Sequence, residues 1–203
     1  MKINIKGIDD QRLHRPLSLI ADLFFEESVL TFQVDENSDA LQINISISIE
    51  NNHCTVTGSF HNDTDTITST KEKSLEGYES EKEQLKQVKN TVLHVFLSLL
   101  QDYTSIVQKW GILTGVRPVK LLHTKLQNGE SKEEVHRQLK EEYLITDEKI
   151  ELMQEIVDRQ LSVVPDLYDL GKEVSIYIGI PFCPTKCAYC TFPAYAINGK
   201  QGK

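Results

Sequence analysis

The chain has 203 residues, 39% apolar and 26% charged, with 30 acidic side chains against 22 basic ones and a formal charge of −8. That composition suits a folded soluble protein of one or two domains and argues against a general binder of nucleic acid or anionic membrane. No apolar run reaches the roughly eighteen residues of a membrane span, and the N-terminus MKINIKGI alternates where a signal peptide would show an apolar block, so a cytoplasmic location is expected. The charge is uneven: the segment from Gly171 onward carries +3, through Lys172, Lys186, Lys200 and Lys203 against Glu173, and the part before it carries −11. A solvated lysine-bearing tail accounts for this, although lysines beside cysteines also favour thiolates.

Lys2 to Ile8 reads as a strand with Ile3 and Ile5 on one face. Leu13, Leu17, Ile20 and Phe24 then recur at helical spacing, and Pro16, acceptable only in a first turn, places that helix's start near Arg15. Leu41, Ile43, Ile45, Ile47 and Ile49 alternate with polar residues, as do Cys54, Val56, Gly58 and Phe60 beyond Asn51-Asn52, which predicts a β-hairpin in a half-buried antiparallel sheet. Residues 61 to 79 are polar and read as an exposed loop with one edge strand near Thr66 to Thr70. Leu85, Val88, Val92, Phe96, Leu99 and Tyr103 form the apolar stripe of a long helix.

Past Trp110 and the Gly111 to Gly115 connector, three helices are predicted. Pro118 starts the first and Asn128-Gly129 ends it. Ser131 to Glu134 forms a capping box for the second, with Val135, Leu139 and Tyr143 inward. The third runs from Thr146 to Val164, with Ile150, Met153, Val157, Leu161 and Val164 on one face. Pro165 and Gly171 mark a linker, and Glu173 to Ile180 reads as a strand leading into a cysteine cluster.

That cluster is Cys183-Pro184-Thr185-Lys186-Cys187-Ala188-Tyr189-Cys190, a C-x3-C-x2-C run. Three thiolates on one tight loop are soft donors suited to an iron–sulfur centre, and three where such a centre ordinarily takes four leave one iron open to a substrate or cofactor. The alternative is a structural zinc site completed by Cys54, His53 or another histidine; Cys54, beside Val56 and Phe60, reads more simply as a buried strand residue. The six histidines, at 14, 53, 61, 94, 123 and 136, show no ligand spacing. Arg117, in the Trp110 to Pro118 run, has the chemistry to hold a phosphate or carboxylate, but that run reads as a tight helix connection.

Tyr177 to Cys183, with Cys187 and Cys190, resembles the signature of radical S-adenosylmethionine enzymes of the oxygen-independent coproporphyrinogen III oxidase (coproporphyrinogen dehydrogenase) group. Trp110 to Pro118 and the adjoining helices resemble the HemZ-like branch of that group, and the likeness spans the whole chain. The resemblance implies a radical SAM oxidoreductase of porphyrin and haem biosynthesis. Cys183, Cys187 and Cys190 would hold a [4Fe-4S] cluster whose open iron is chelated by S-adenosyl-L-methionine; reductive cleavage of that cofactor gives a 5′-deoxyadenosyl radical that takes hydrogen from the substrate. Tyr177 would lie near the bound methionine, and Tyr189 would touch a second S-adenosyl-L-methionine in members that bind two. The implied partners are a porphyrinogen-type substrate and an electron donor protein.

The signature carries a histidine where this chain has Gly179 and a cysteine where it has Phe192, which leaves a second reading open: a haem-binding or haem-trafficking relative without coproporphyrinogen turnover. A (β/α) barrel takes on the order of 200 residues, and 31 follow Lys172. The expected organisation is therefore a small α+β domain over 1–104 with an antiparallel sheet, a helical bridge over 105–164, and over 165–203 the first strand and cluster loop of a truncated barrel. As an N-terminal piece of a longer enzyme, the chain is expected to be inactive alone.

Overall fold

Asn51 and Asn52 take φ of 50° and 58°, the left-handed pair that a two-residue hairpin turn needs and that asparagine tolerates well. Around this turn the computed structural model pairs β3 (Leu41–Glu50) with β4 (His53–His61) in antiparallel register, Ile43 opposite Phe60 and Ile47 opposite Val56. The structure describes residues 1–32, 40–61, 66–114, 117–169, 176–185, 187–192 and 195–196. The chain divides into two compact units, Met1–Val164 and Pro165–Lys203.

In the first unit, β1 (Lys2–Lys6), β2 (Val29–Thr31), β3, β4 and β5 (Thr66–Ser74) form one sheet in the order β2-β1-β3-β4-β5. The expected sheet was antiparallel; the observed one is mixed, because β1 pairs parallel with both β2 and β3. Alternation along a strand reports which face is buried, not the direction of its neighbours, and the parallel pair β1–β2 is closed by the crossover helix α1 (Gln11–Ala21). The strand expected around Thr66 to Thr70 is longer, reaching Ser74 and pairing with β4 along its length. Its side chains are mostly polar, so composition resembles a loop while the backbone bonds resolve a full strand.

Helix α1 begins at Gln11, not near Arg15, and carries Pro16 inside it. A proline there forfeits one backbone bond, a cost of about 3 kcal/mol in a helix interior. The Asp10 side chain offsets part of it by accepting from the Arg12 N–H at 2.9 Å, and Leu13, Leu17, Ile20 and Ala21 are all buried.

Helix α2 (Glu81–Thr104) opens with a reciprocal cap: the Glu83 N–H donates to Ser80 Oγ at 3.2 Å, and that hydroxyl donates to Glu83 Oε2 at 2.9 Å. Its second half is buried on several sides, including Val92, Val95, Phe96, Leu97, Leu99 and Leu100, because it packs on β4 and β5 and also on α1. Gly58 on β4 makes the close approach possible: a Cβ there would lie 2.7 Å from side-chain carbons of both Val95 and Leu99. Phe60 meets Tyr103 edge to face at 5.2 Å.

Three shorter helices complete this unit: α3 (Pro118–Gln127), α4 (Lys132–Glu141) and α5 (Asp147–Val163). Pro118 is the first residue of α3 and Gly129 follows its C-cap at φ 86°. The Glu134 N–H donates to Ser131 Oγ at the start of α4, and Val135, Leu139 and Tyr143 are buried as their spacing requires. On α5, Ile150, Met153 and Val157 face inward, Leu161 is partly buried and Val164 is exposed. No helix among the described residues is long and apolar enough to cross a membrane.

Candidate functional site

The second unit carries the cysteine loop. Among its described residues the regular structure is one short parallel pair, β6 (Phe182–Cys183) with β7 (Tyr195–Ala196), braced by a bond from the Tyr195 N–H to the Pro181 carbonyl at 2.7 Å. The rings of Phe182 and Tyr195 lie 6.1 Å apart beside it. The expected strand from Glu173 to Ile180 falls partly on residues outside those described, 173 to 175. Its described part, Ile176 to Ile180, forms no strand. A strand is defined by its partner's backbone, and no described segment pairs with these residues. Their apolar side chains are open to solvent: Ile176, Ile178 and Ile180 are each at least 80% exposed.

Cys183 ends β6, so the pairing with β7 fixes its backbone. Cys187 and Cys190 stand at the two ends of one turn, closed by the Cys190 N–H donating to the Cys187 carbonyl at 3.0 Å. All three are free thiols, Cys187 exposed and the others half-buried. Among the described residues, however, no group of three His, Cys, Asp or Glu side chains is gathered as a metal site would require. The structure thus sets two cysteines on one turn and the third on the adjoining strand without closing them round a common centre.

The donor chemistry suits a soft metal centre: three reduced, unbridged thiols within eight residues, with no carboxylate or histidine interleaved. Cys54 offers the contrast. It is fully buried in the core of the first unit, opposite Ile49 on β3, and burial pushes its thiol pKa up, as for an inert core cysteine.

Tyr177 and Tyr189 are 81% and 88% exposed. Tyr189 lies between the cysteines of the turn, and the Tyr177 ring packs beside Gly179, where a Cβ would meet its Cε1 at 3.1 Å. A side chain at position 179 would displace that ring. The expected extended spacing already puts Tyr177 and Gly179 on one face, as residues two apart, and the close approach of the ring to Gly179 is what the structure adds.

No family model matches the chain. It is 58% identical, over its whole length, to the oxygen-independent coproporphyrinogen-III oxidase-like protein HemZ of Bacillus subtilis strain 168. Along its whole length the chain is similar to HemZ. It spans 40% of the length of that relative. The identity extends over both units, so the resemblance seen at the cysteine signature and at Trp110 to Pro118 holds along the whole chain. HemZ is described as oxidase-like, and an oxidoreductase of porphyrin metabolism is the class to which its name points.

Proposed function

We propose that this chain belongs to a radical SAM oxidoreductase of the coproporphyrinogen dehydrogenase type, in which Cys183, Cys187 and Cys190 hold a [4Fe-4S] cluster. The carrying observation is the loop itself: three free thiols at C-x3-C-x2-C spacing in a chain 58% identical to HemZ. When bound, the cluster supplies one-electron reduction of S-adenosyl-L-methionine. The chain's own residues have simpler tasks. The β6–β7 pair anchors the first cysteine and the turn holds the other two at its ends, so gathering the three requires movement of one short loop. Tyr177 and Tyr189 offer aromatic faces beside the loop for the cofactor and to exclude water. A porphyrinogen-type substrate and an electron donor protein complete the reading, with the chemistry in the cytoplasm and the barrel completed by sequence outside this chain. The exposed apolar run from Ile176 to Phe182 supports that last point, since a core strand needs cover. On this reading the 203 residues alone turn over no substrate.

Anaerobic reconstitution with iron and sulfide, followed by EPR with and without S-adenosyl-L-methionine, tests the cluster. A cubane signal perturbed by the cofactor is expected; stoichiometric zinc with no cluster would sink the reading.

Gly179 and Phe192 favour a second reading, a haem-binding or haem-trafficking protein, because they replace a histidine and a cysteine of the oxidase signature. Coproporphyrinogen turnover by the longer protein would reject it, and haem titration without turnover would support it.

A further inference from the structure

A groove of about 650 Å³ opens in the first unit between the N-terminal turns of α1 and α2. Its apolar wall is Leu13, Leu85 and Val88, and Lys82, Lys86 and Lys89 stand along the same stretch of α2. Those lysines sit four and three residues apart, so they share one helix face, at spacings of about 6 Å and about 10 Å from Lys82. The acidic groups facing the groove are already engaged. Asp10 is held by a bidentate pair with Arg12, at 2.9 and 2.8 Å, and Glu83 closes the cap on Ser80. Lys82, Lys86 and Lys89 have no ion-pair partner among the described residues. A second cavity, of about 350 Å³, shares Lys86 and Lys89 and extends the apolar wall to Leu93 and Leu121.

In a chain of charge −8, three aligned and unengaged cations over an apolar floor form a local inversion of sign. We propose that this groove binds an apolar molecule bearing two or more carboxylates, the acids paired with Lys82, Lys86 and Lys89 and the body laid on Leu13, Leu85 and Val88. The volume lies in the small-molecule range of roughly 300–1,000 Å³, and capped helix starts bound it at both sides, which favours a compact ligand over a protein segment. Carboxylate recognition by these lysines is independent of the cysteine loop. The choice of a porphyrin as probe rests on the functional reading above, since a coproporphyrin is an apolar ring with four carboxylates.

The test titrates the 203-residue chain with coproporphyrin III and with its tetramethyl ester at matched detergent, reading porphyrin fluorescence anisotropy. The acid is expected to bind, with at least tenfold weaker binding of the ester and of the acid to the surface variant Lys82→Glu/Lys86→Glu/Lys89→Glu. Cys183→Ser/Cys187→Ser/Cys190→Ser is expected to bind normally, which separates this site from the cluster reading. So is Lys172→Glu/Lys200→Glu/Lys203→Glu, which removes the other basic segment. Equal affinity for acid and ester, normal binding by the groove variant, loss of binding in the tail variant, or no binding of the acid at all would each overturn the proposal. Capture of a glutamate-rich amphipathic peptide in place of the porphyrin acid would overturn it in favour of a protein partner.

Discussion

Gly111 takes φ 55° directly against the carbonyl of Tyr143, so close that a Cβ would overlap the oxygen, while the Ile112 N–H donates to that same oxygen at 2.9 Å. Together with the Thr146 N–H bonded to the Lys109 carbonyl at 3.1 Å, this contact stitches the chain leaving α2 to the turn between α4 and α5. Gly111→Ala is expected to lower stability by about 2 kcal/mol or more, from left-handed strain plus displacement of that carbonyl. Gly129→Ala, at φ 86° with nothing near its would-be Cβ, is expected to cost about 1 kcal/mol from strain alone. Urea unfolding of both variants measures the difference, and equal losses would refute the close-approach argument.

Stability depends on pH through His94. Burial, aided by the charge of Lys71, depresses its pKa to about 4 from 6.5, and its Nδ1 is buried without a hydrogen-bond partner among the described residues. The unfolded chain binds that proton more readily than the folded one, so the contribution is intact above pH 6.5 and is lost as pH falls toward 4. Lys71 and Lys73 on β5 and Glu142 after α4 are the charged groups around it. His94→Gln is expected to flatten the stability profile between pH 6.5 and 4; an unchanged slope would assign the acid sensitivity to other groups.

Cys54 and the loop cysteines are predicted to separate cleanly. Cys54→Ser places a hydroxyl in a fully buried strand position and is expected to cost about 1–3 kcal/mol while leaving iron uptake intact. Replacing Cys183, Cys187 and Cys190 with serine is expected to abolish iron uptake and leave the thermal unfolding of the first unit unchanged. Iron content after anaerobic reconstitution and the melting curve report the two effects independently.

Ser80→Ala removes the side-chain half of the cap on α2, and a loss of about 1 kcal/mol is expected. The same variant frees Glu83 to pair with Lys86, three residues on along the helix, so porphyrin-acid affinity is expected to fall as well. A stability change with unaltered affinity would show that Glu83 does not compete for the groove.

Elements whose signals are local were legible in the sequence. The Asn51-Asn52 turn, Pro118 and Gly129 around α3, and the Ser131 cap all announce themselves in a few residues. What escaped was non-local. The parallel partners of β1 lie 27 and 38 residues away in the register Lys2–Val29 and Ile3–Leu41, whereas the start of α1, whose apolar spacing from Leu13 was plain, was misplaced by confining Pro16 to a first turn. β5 was understated because its stability comes from backbone pairing and not from apolar side chains. At the site, the three cysteines and their spacing were plain, but how closely a loop draws them together depends on backbone geometry and on whatever they ligate.

Gly58 makes α2 a lever. The helix rests on the sheet where this residue lacks a side chain, and further along the same rod it carries Lys82, Lys86 and Lys89. One added methyl at position 58 would come within 2.7 Å of both Val95 and Leu99, so the seating of the lysine-bearing helix on the sheet rests on a residue that never lines the groove.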